Sequence, residues 1–164
     1  MPERRHAMRL RCCCALVLWA TCSLARADVS DSDWQETEVP PPPAFSTNHL
    51  LMLDMPRYLS VKLGIDPATL QITPDGVVRY VLVSTSPQGL VNALYEGIRC
   101  ATGEVKTYAR TSGTNPWTLV RQAGWRGLHD AQPSWHALVF ARQGACEGNS
   151  ARNTPADIVR AMKN

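Results

Sequence analysis

The sequence lacks the short motifs that identify common catalytic sites. It contains no G-x-S-x-G nucleophile elbow, no P-loop and no H-E-x-x-H zinc motif. Beyond the N-terminal segment its histidines are His49, His129 and His136, and none stands at a metal-ligand spacing from another histidine, a cysteine or a carboxylate. The sequence therefore predicts no catalytic residue, no cofactor and no metal ligand.

A basic excess is also missing once residues 1–27 are set aside. Five of the 17 lysines and arginines and one of the 14 acidic residues lie there, which leaves 12 basic and 13 acidic residues. A nucleic-acid-binding surface needs clustered positive charge to displace counterions. DNA and RNA are therefore not expected as partners.

Residues 1–27 have the pattern of a secretory signal peptide. An arginine-rich start precedes an apolar run over residues 12–24, and Ala25-Arg26-Ala27 forms an A-x-A cleavage site. The pattern predicts cleavage after Ala27 and a periplasmic or secreted protein. Two alternatives stay open: an uncleaved anchor, and a lipoprotein modified at Cys22. Membrane contact is expected only in these two cases.

Few cysteines remain after cleavage, only Cys100 and Cys146. An even pair in an oxidising compartment favours a disulfide. A redox or metal pair is the alternative, but the two thiols form no C-x-x-C and have no histidine close in sequence. We therefore predict a structural Cys100–Cys146 bridge.

Residues 75–109 contain three apolar-rich runs separated by short turns. The runs cover residues 76–84, 91–100 and 104–109, and β-branched and aromatic side chains are frequent in them. Short connections permit only antiparallel neighbours, so we predict a β-meander. In the favoured register Arg79 faces Glu96, which sets opposite charges across from each other. A slip of one residue would pair Arg79 with Tyr95 and exchange the faces.

The flanking elements complete an α+β fold. Alternation of Leu59, Val61, Leu63 and Ile65 predicts a half-buried strand over residues 58–66, and short strands are expected at 70–72 and 117–120. Two helices follow. The first, over residues 134–142, would pack Trp135, Leu138 and Val139 on the sheet. The second begins with Thr154 as N-cap and Pro155, and has an apolar stripe of Ile158, Val159 and Met162.

One domain accounts for this length. We divide the chain into a signal peptide (1–27), an acidic and proline-rich tail (28–45), a globular domain (46–146) and a peripheral C-terminal helix (147–164). The tail is interpreted as a solvated linker pinned by Trp34, with a partner-docking polyproline segment as the alternative.

A speculative ligand surface comprises five residues of the strand block and the following segment: Arg79, Glu96, Arg99, Trp117 and Trp125. The arginines would hold an anion and the indole rings would stack on a glycan or peptide. The favoured alternatives are charge pairing on a solvated sheet face and ordinary core packing of the tryptophans.

Three segments together resemble the CNP1-like family of exported proteobacterial proteins. They are residues 75–83 (DGVVRYVLV), 95–100 (YEGIRC) and 106–109 (KTYA), with Asp33-Trp34 upstream and Trp117 and Trp125 downstream. Family members often place an aromatic residue before the second cysteine, whereas here Gly144-Ala145 precedes Cys146. The resemblance implies an exported protein and supplies no catalytic or binding residue.

These observations favour an exported envelope protein that binds a partner protein or a glycan without catalysis. Two alternatives are kept: a small hydrolase-like periplasmic enzyme, and a small-ligand carrier. Both would use the region of Arg79, Glu96 and Arg99, and the enzyme requires these groups to converge in one pocket.

Export generates the first testable prediction. Expression of the full chain in a Gram-negative host should yield a periplasmic protein whose intact mass corresponds to residues 28–164, because the A-x-A site precedes Asp28. Intact-mass spectrometry of the periplasmic fraction measures this. Retention of residues 1–27, or a lipid adduct on Cys22, would contradict it.

Overall fold

The computed structural model describes residues 33–130 and 135–164. Within them no helix is long and apolar enough to cross a membrane. Residues 34–164 form one compact unit that contains both hydrophobic clusters of the described chain.

An antiparallel sheet dominates this unit and confirms the predicted α+β class. Its strands in chain order are β1 (Leu51–Met52), β2 (Lys62–Ile65), β3 (Gln71–Ile72), β4 (Val77–Thr85), β5 (Val91–Arg99), β6 (Glu104–Ser112), β7 (Thr118–Leu119) and β8 (Arg126–Gly127). They lie in the order β1-β2-β4-β5-β6-β7, while β3 pairs with β4 and β8 pairs with β6. A 3-10 turn, Pro67–Thr69, precedes β3.

The predicted meander is confirmed as β4-β5-β6, but the favoured register is wrong. Arg79 pairs with Gly97, and Glu96 pairs with Tyr80. The five-residue connection 86–90, closed by a bond from the Ser86 N–H to the Leu90 carbonyl at 2.9 Å, sets this register. Because directly paired residues share a face, Arg79 and Glu96 lie on opposite faces of the sheet.

A β-bulge in β6 changes which side chains share a face. Tyr95 pairs with Ala109 but Glu96 pairs with Thr107, so Tyr108 is the extra residue. Tyr108 lies over Gly97, where an added Cβ would come within 2.5 Å of the Tyr108 hydroxyl. Glycine at position 97 therefore makes room for the bulged ring.

One face of the sheet, here called the helix face, is covered by the C-terminal segment. Its helices are α1 (Trp135–Phe140), which continues into a π-helical turn (Ala141–Ala145), and α2 (Pro155–Lys163). Strands β9 (Cys146–Glu147) and β10 (Ser150–Ala151) form a small hairpin between them. The Cys100–Cys146 disulfide joins the end of the meander to this segment, as predicted.

Both helices pack differently from the sequence expectation. The buried residues of α1 and the following turn are Ala137, Phe140, Ala141, Gly144 and Ala145. Leu138 and Val139 are half-buried and pack against the main cluster from its edge. The predicted start of this helix, Ser134, falls outside the described residues. In α2 the cap and stripe are confirmed, but Ile158 is fully buried in the main cluster, so the peripheral placement is wrong for this residue.

The opposite face, here called the strap face, is covered by residues 34–45, here called the strap. Val39 and Phe45 pack on a cluster that includes Val81, Tyr95 and Tyr108. Trp34 Nε1 donates to the Asp75 carbonyl at 2.8 Å, which confirms the predicted pinning. For residues 34–45 the interpretation as a solvated linker is wrong, because Val39 and Phe45 pack on the sheet; residues 28–32 of the predicted tail lie outside the described residues.

The predicted strand over residues 58–66 is shorter in the structure. Only Lys62–Ile65 pair, as β2, and residues 54–61 form an exposed loop between β1 and β2. Leu59 and Val61 therefore do not share a buried face with Ile65.

The disulfide generates the second prediction. Reduction should lower the free energy of unfolding by ~4 kcal/mol, since the bridge closes a loop of 46 residues in the unfolded chain. Urea unfolding of the oxidised and the reduced protein measures the difference. The Cys100→Ala/Cys146→Ala variant is the control, because its urea midpoint should not respond to reductant. Equal midpoints of the oxidised and reduced wild type would contradict the prediction.

Candidate functional site

The carboxylate of Glu96 is buried at the centre of the helix face. Tyr80, Glu96 and Thr107 are cross-strand neighbours on β4, β5 and β6, so their side chains meet at one level of the sheet. Glu96 accepts hydrogen bonds from the Tyr80 hydroxyl at 2.9 Å and the Thr107 hydroxyl at 2.8 Å. His136 Nε2, from α1, lies 2.8 Å from the same carboxylate.

These donors keep Glu96 ionised although its side chain is only 1 % exposed. Burial alone would raise its pKa, but the hydrogen bond and electrostatic attraction of His136, with hydrogen bonds from Thr107 and Tyr80, outweigh burial and leave the pKa below its ordinary value. Burial and the negative charge of Glu96 raise the pKa of Tyr80 well above its ordinary value. Tyr80 thus remains a hydrogen-bond donor at neutral pH.

An ionised Glu96 fixes the tautomer of His136. A carboxylate can only accept, so Nε2 of His136 must carry a hydrogen. In neutral imidazole the other nitrogen, Nδ1, then has a free lone pair. This arrangement, a buried carboxylate orienting an imidazole, is chemically able to accept a proton from a ligand or a water.

His136 and Glu96 line a cleft of about 530 Å³ on the helix face. Its other lining residues come from β5, β6, β8 and the segment between β7 and β8: Leu94, Thr107, Arg110, Val120, Gln122, Ala123, Gly124 and Arg126. The lining thus combines apolar side chains with three groups that are able to be cationic. We call this the Arg110–Arg126 cleft.

The two arginines of the cleft have no ion pair with a carboxylate in residues 33–130 and 135–164. Arg110 is exposed, and Arg126 is half-buried and donates to the Thr107 hydroxyl at 3.3 Å. Glu96 is the carboxylate in the cleft wall, and it is held by three other donors. The available charge of the cleft is therefore positive.

The bulge at Tyr108 builds this cleft. Thr107 and Arg110 are three residues apart, and regular alternation would place them on opposite faces. The extra residue shifts the alternation by one position, so both side chains lie on the helix face. Thr107 pairs with Glu96 there, and Arg110 pairs with Leu94. Without the bulge Arg110 would point to the strap face.

The sequence-predicted residues Arg79 and Arg99 lie under the strap, away from Glu96. Arg79 is 1 % exposed, contacts Asp75 at 3.4 Å and donates to Thr37. Arg99 is buried and stacks its guanidinium 3.7 Å from the ring centroid of Trp34. Cross-strand charge pairing is present between Arg99 and Glu104 at 3.9 Å, but the expected solvated face is wrong because Arg79, Glu96 and Arg99 are buried. Arg79 and Glu96 lie on opposite faces, so the three groups do not converge in one pocket.

The chain itself supplies the anions for these arginines. Asp75 accepts from the Thr37 N–H and hydroxyl, each at 2.8 Å. Burial opposes ionisation of Asp75, but hydrogen bonds from Thr73, Thr37 and Val77 leave its pKa below its ordinary value. Glu36 lies 3.8 Å from Arg79 and accepts from Lys106 at 2.6 Å and from the Tyr108 hydroxyl at 2.6 Å.

The two predicted tryptophans do not form a shared platform. Trp125 packs edge-on against Trp34 with ring centroids 5.8 Å apart. Trp117 packs against Phe45 with centroids 5.6 Å apart. Both rings are half-buried, and both pack against strap residues.

The cleft residues missed by sequence reasoning are His136, Arg110 and Arg126. Sequence spacing does not indicate the role of His136, because its partner Glu96 lies 40 residues away in the chain. Between Glu104 and Arg110 the strand has one residue more than a regular inward–outward alternation allows. This extra residue can be recognised only once the β5–β6 register is known. In the described residues no group of three or more histidines, cysteines or carboxylates could hold a metal ion.

Comparison with known proteins gives one result. The sequence model of the CNP1-like family matches residues 29–163, which includes the strap, the sheet and α2. No curated protein and no solved structure matches the chain.

The buried carboxylate generates the third prediction. Glu96 has a folded pKa below its ordinary value of 4.5, so its stabilising effect is present above pH 4.5 and is lost as the pH falls through the folded value. Glu96→Gln should be about 2 kcal/mol less stable at pH 7, because a charged acceptor of three hydrogen bonds is removed. The free energy of unfolding of Glu96→Gln should also fall less steeply as the pH is lowered, because one carboxylate fewer takes up a proton on unfolding.

Urea midpoints of wild type and Glu96→Gln between pH 7 and pH 3 measure this. Asp75 also has a lowered pKa, but it titrates in both proteins, so the difference isolates Glu96. Parallel pH profiles of the two proteins would show that Glu96 is not the group responsible.

Proposed function

The chain belongs to the CNP1-like family, and on that premise we propose that it is an exported cell-envelope protein whose domain binds a ligand without catalysis. The observation that carries the proposal is the Arg110–Arg126 cleft, with its apolar wall and its positive charge. The predicted signal peptide and the disulfide support the envelope location.

The lining of the cleft favours a ligand with an anionic group. Arginine binds carboxylate and phosphate with paired hydrogen bonds, and Arg110 and Arg126 form no ion pair with a described carboxylate. Leu94, Val120 and Ala123 offer apolar contact beside them. A carboxylate or phosphate group attached to an apolar or sugar moiety fits this combination.

A hydrolytic activity is the second candidate, and the Glu96–His136 pair favours it. His136 Nδ1 would take a proton from a water molecule that attacks an ester of the bound anion, and would return that proton to the leaving group. Arg110 and Arg126 would stabilise the charge that develops. Of the three residues expected from the sequence, Glu96 belongs to this pair, whereas Arg79 and Arg99 lie on the strap face.

The fourth prediction tests the proposal. Immobilised protein beginning at Asp28 is incubated with soluble envelope extract, and eluted small molecules and glycans are identified by mass spectrometry. Wild type should retain an anionic component. The Arg110→Gln/Arg126→Gln variant should retain at least about tenfold less of it, because a hydrogen bond to a charged group contributes about 1.5–3 kcal/mol.

Arg142→Gln is the matched control, because Arg142 is exposed and lies outside the cleft. A ligand recovered with unchanged mass supports binding, whereas a hydrolysed product that disappears in His136→Gln supports the enzyme. Equal retention by wild type and the Arg110/Arg126 variant, or no retained component at all, would contradict the cleft as the binding site.

A further inference from the structure

The exposed apolar surface of the described chain is concentrated in one place. Its large exposed apolar residues are Met52, Tyr58, Leu59, Val61, Leu90 and Leu119, and four of these six lie within residues 52–61. Side chains of this size at adjacent positions are uncommon on the surface of a protein that has no partner there.

The loop between β1 and β2 presents these side chains at its tip. A bond from the Leu53 N–H to the Leu63 carbonyl at 2.9 Å closes its base, and a turn from Pro56 to Leu59 forms its tip. Tyr58 is 77 % exposed, Leu59 38 % and Val61 39 %. The loop is therefore held at its base, where Met55 packs against the main cluster, while Tyr58, Leu59 and Val61 are exposed to solvent.

An aromatic ring extends this surface. The ring of Trp135, at the start of α1, is 6.3 Å from the ring of Tyr58 between centroids, and Trp135 is half-buried. Tyrosine and tryptophan carry an apolar body and a polar tip, which suits the boundary between water and lipid.

The charges beside the loop are mainly positive. Arg57 precedes Tyr58, and Lys62 follows Val61; both are exposed, and neither has an ion pair within the described residues. Asp54, at the loop's base beside β1, is the one acidic residue in 52–62. Positive residues beside an apolar tip complement an anionic lipid bilayer, in which charged headgroups lie above an apolar core.

We propose that the loop of residues 54–61 is a membrane-contact site that inserts Tyr58, Leu59 and Val61 into the interfacial region of an anionic lipid bilayer, with Arg57 and Lys62 on the lipid headgroups. This contact is separate from the Arg110–Arg126 cleft and needs no anchor at the N-terminus. It holds the domain at the membrane surface while the cleft remains available to its ligand.

A lipid surface fits the loop better than a protein partner does. Protein interfaces of standard size bury about 800 Å² on each side and are depleted in lysine at their centres. Here three apolar residues stand between an arginine and a lysine on a short loop. Such a loop is too small for a stable protein interface but sufficient for reversible adsorption to a charged bilayer.

The fifth prediction tests this contact by vesicle co-sedimentation of the protein beginning at Asp28. Vesicles of phosphatidylethanolamine with phosphatidylglycerol are compared with vesicles of phosphatidylcholine alone. Wild type should bind the anionic vesicles, and added salt should weaken this binding. Tyr58→Ser/Leu59→Ser should weaken it about tenfold. Arg57→Gln and Lys62→Gln should each weaken it about fivefold.

Leu90→Ser and Leu119→Ser are the matched controls, because these leucines are 68 % and 65 % exposed outside the loop. Both controls should bind as wild type does. Since all substituted residues are exposed, far-UV circular dichroism should show the same fold in every variant. The proposal is overturned if wild type binds neither vesicle, if binding ignores lipid charge, or if Tyr58→Ser/Leu59→Ser binds like wild type.

The cleft variant Arg110→Gln/Arg126→Gln separates the two proposals. It should bind vesicles as wild type does, because the loop contact does not involve the cleft. Loss of vesicle binding in this variant, with full binding by Tyr58→Ser/Leu59→Ser, would place the lipid headgroup in the cleft and overturn the loop contact.

Discussion

Burial of charged side chains on both faces of the meander is the constraint on which the rest of the structure depends. Arg79 on β4 and Glu96 on β5 are each 1 % exposed, and they lie on opposite faces of the sheet. A buried charge without partners costs several kcal/mol, so each must be satisfied by a neighbour that also covers it. The strap brings Thr37 and Glu36 to Arg79, and α1 brings His136 to Glu96. The strap and α1 therefore each supply the polar groups that the buried charge beneath them requires.

The two faces differ in which charged side chains remain able to bind an external ligand after this pairing. On the strap face Asp75 and Glu36 accept from arginine, lysine, threonine and tyrosine groups, and the carboxylates are occupied by the chain itself. On the helix face the cover leaves Arg110 and Arg126 facing a cleft without a carboxylate of their own. Electrostatics thus distinguishes a face closed by intramolecular pairs from a face able to receive an external anion.

Local signals explain how much was predictable from the sequence. The strands β4, β5 and β6 follow from their β-branched runs and turn residues, and α2 follows from Thr154 and Pro155. The β4–β5 register was not predictable from charge, because Arg79 and Glu96 do not pair with each other: Arg79 contacts Asp75 and Thr37, and Glu96 accepts from Tyr80, Thr107 and His136. The position of Arg110 depends on the Tyr108 bulge, which two-residue alternation does not anticipate. His136 and the strap reach the sheet over 40 residues or more of chain, a separation at which sequence spacing carries no information.

The most direct test of the central claim, that the helix face rather than the strap face receives the ligand, is a nuclear magnetic resonance titration. The uniformly labelled protein beginning at Asp28 would be titrated with soluble envelope extract, and shifts of backbone and arginine side-chain signals mapped onto the fold. The account predicts that shifts concentrate at Leu94, Thr107, Arg110, Gly124 and Arg126, while Trp34 and Arg79 signals stay in place. Shifts confined to the strap face, with the cleft signals unmoved, would contradict it.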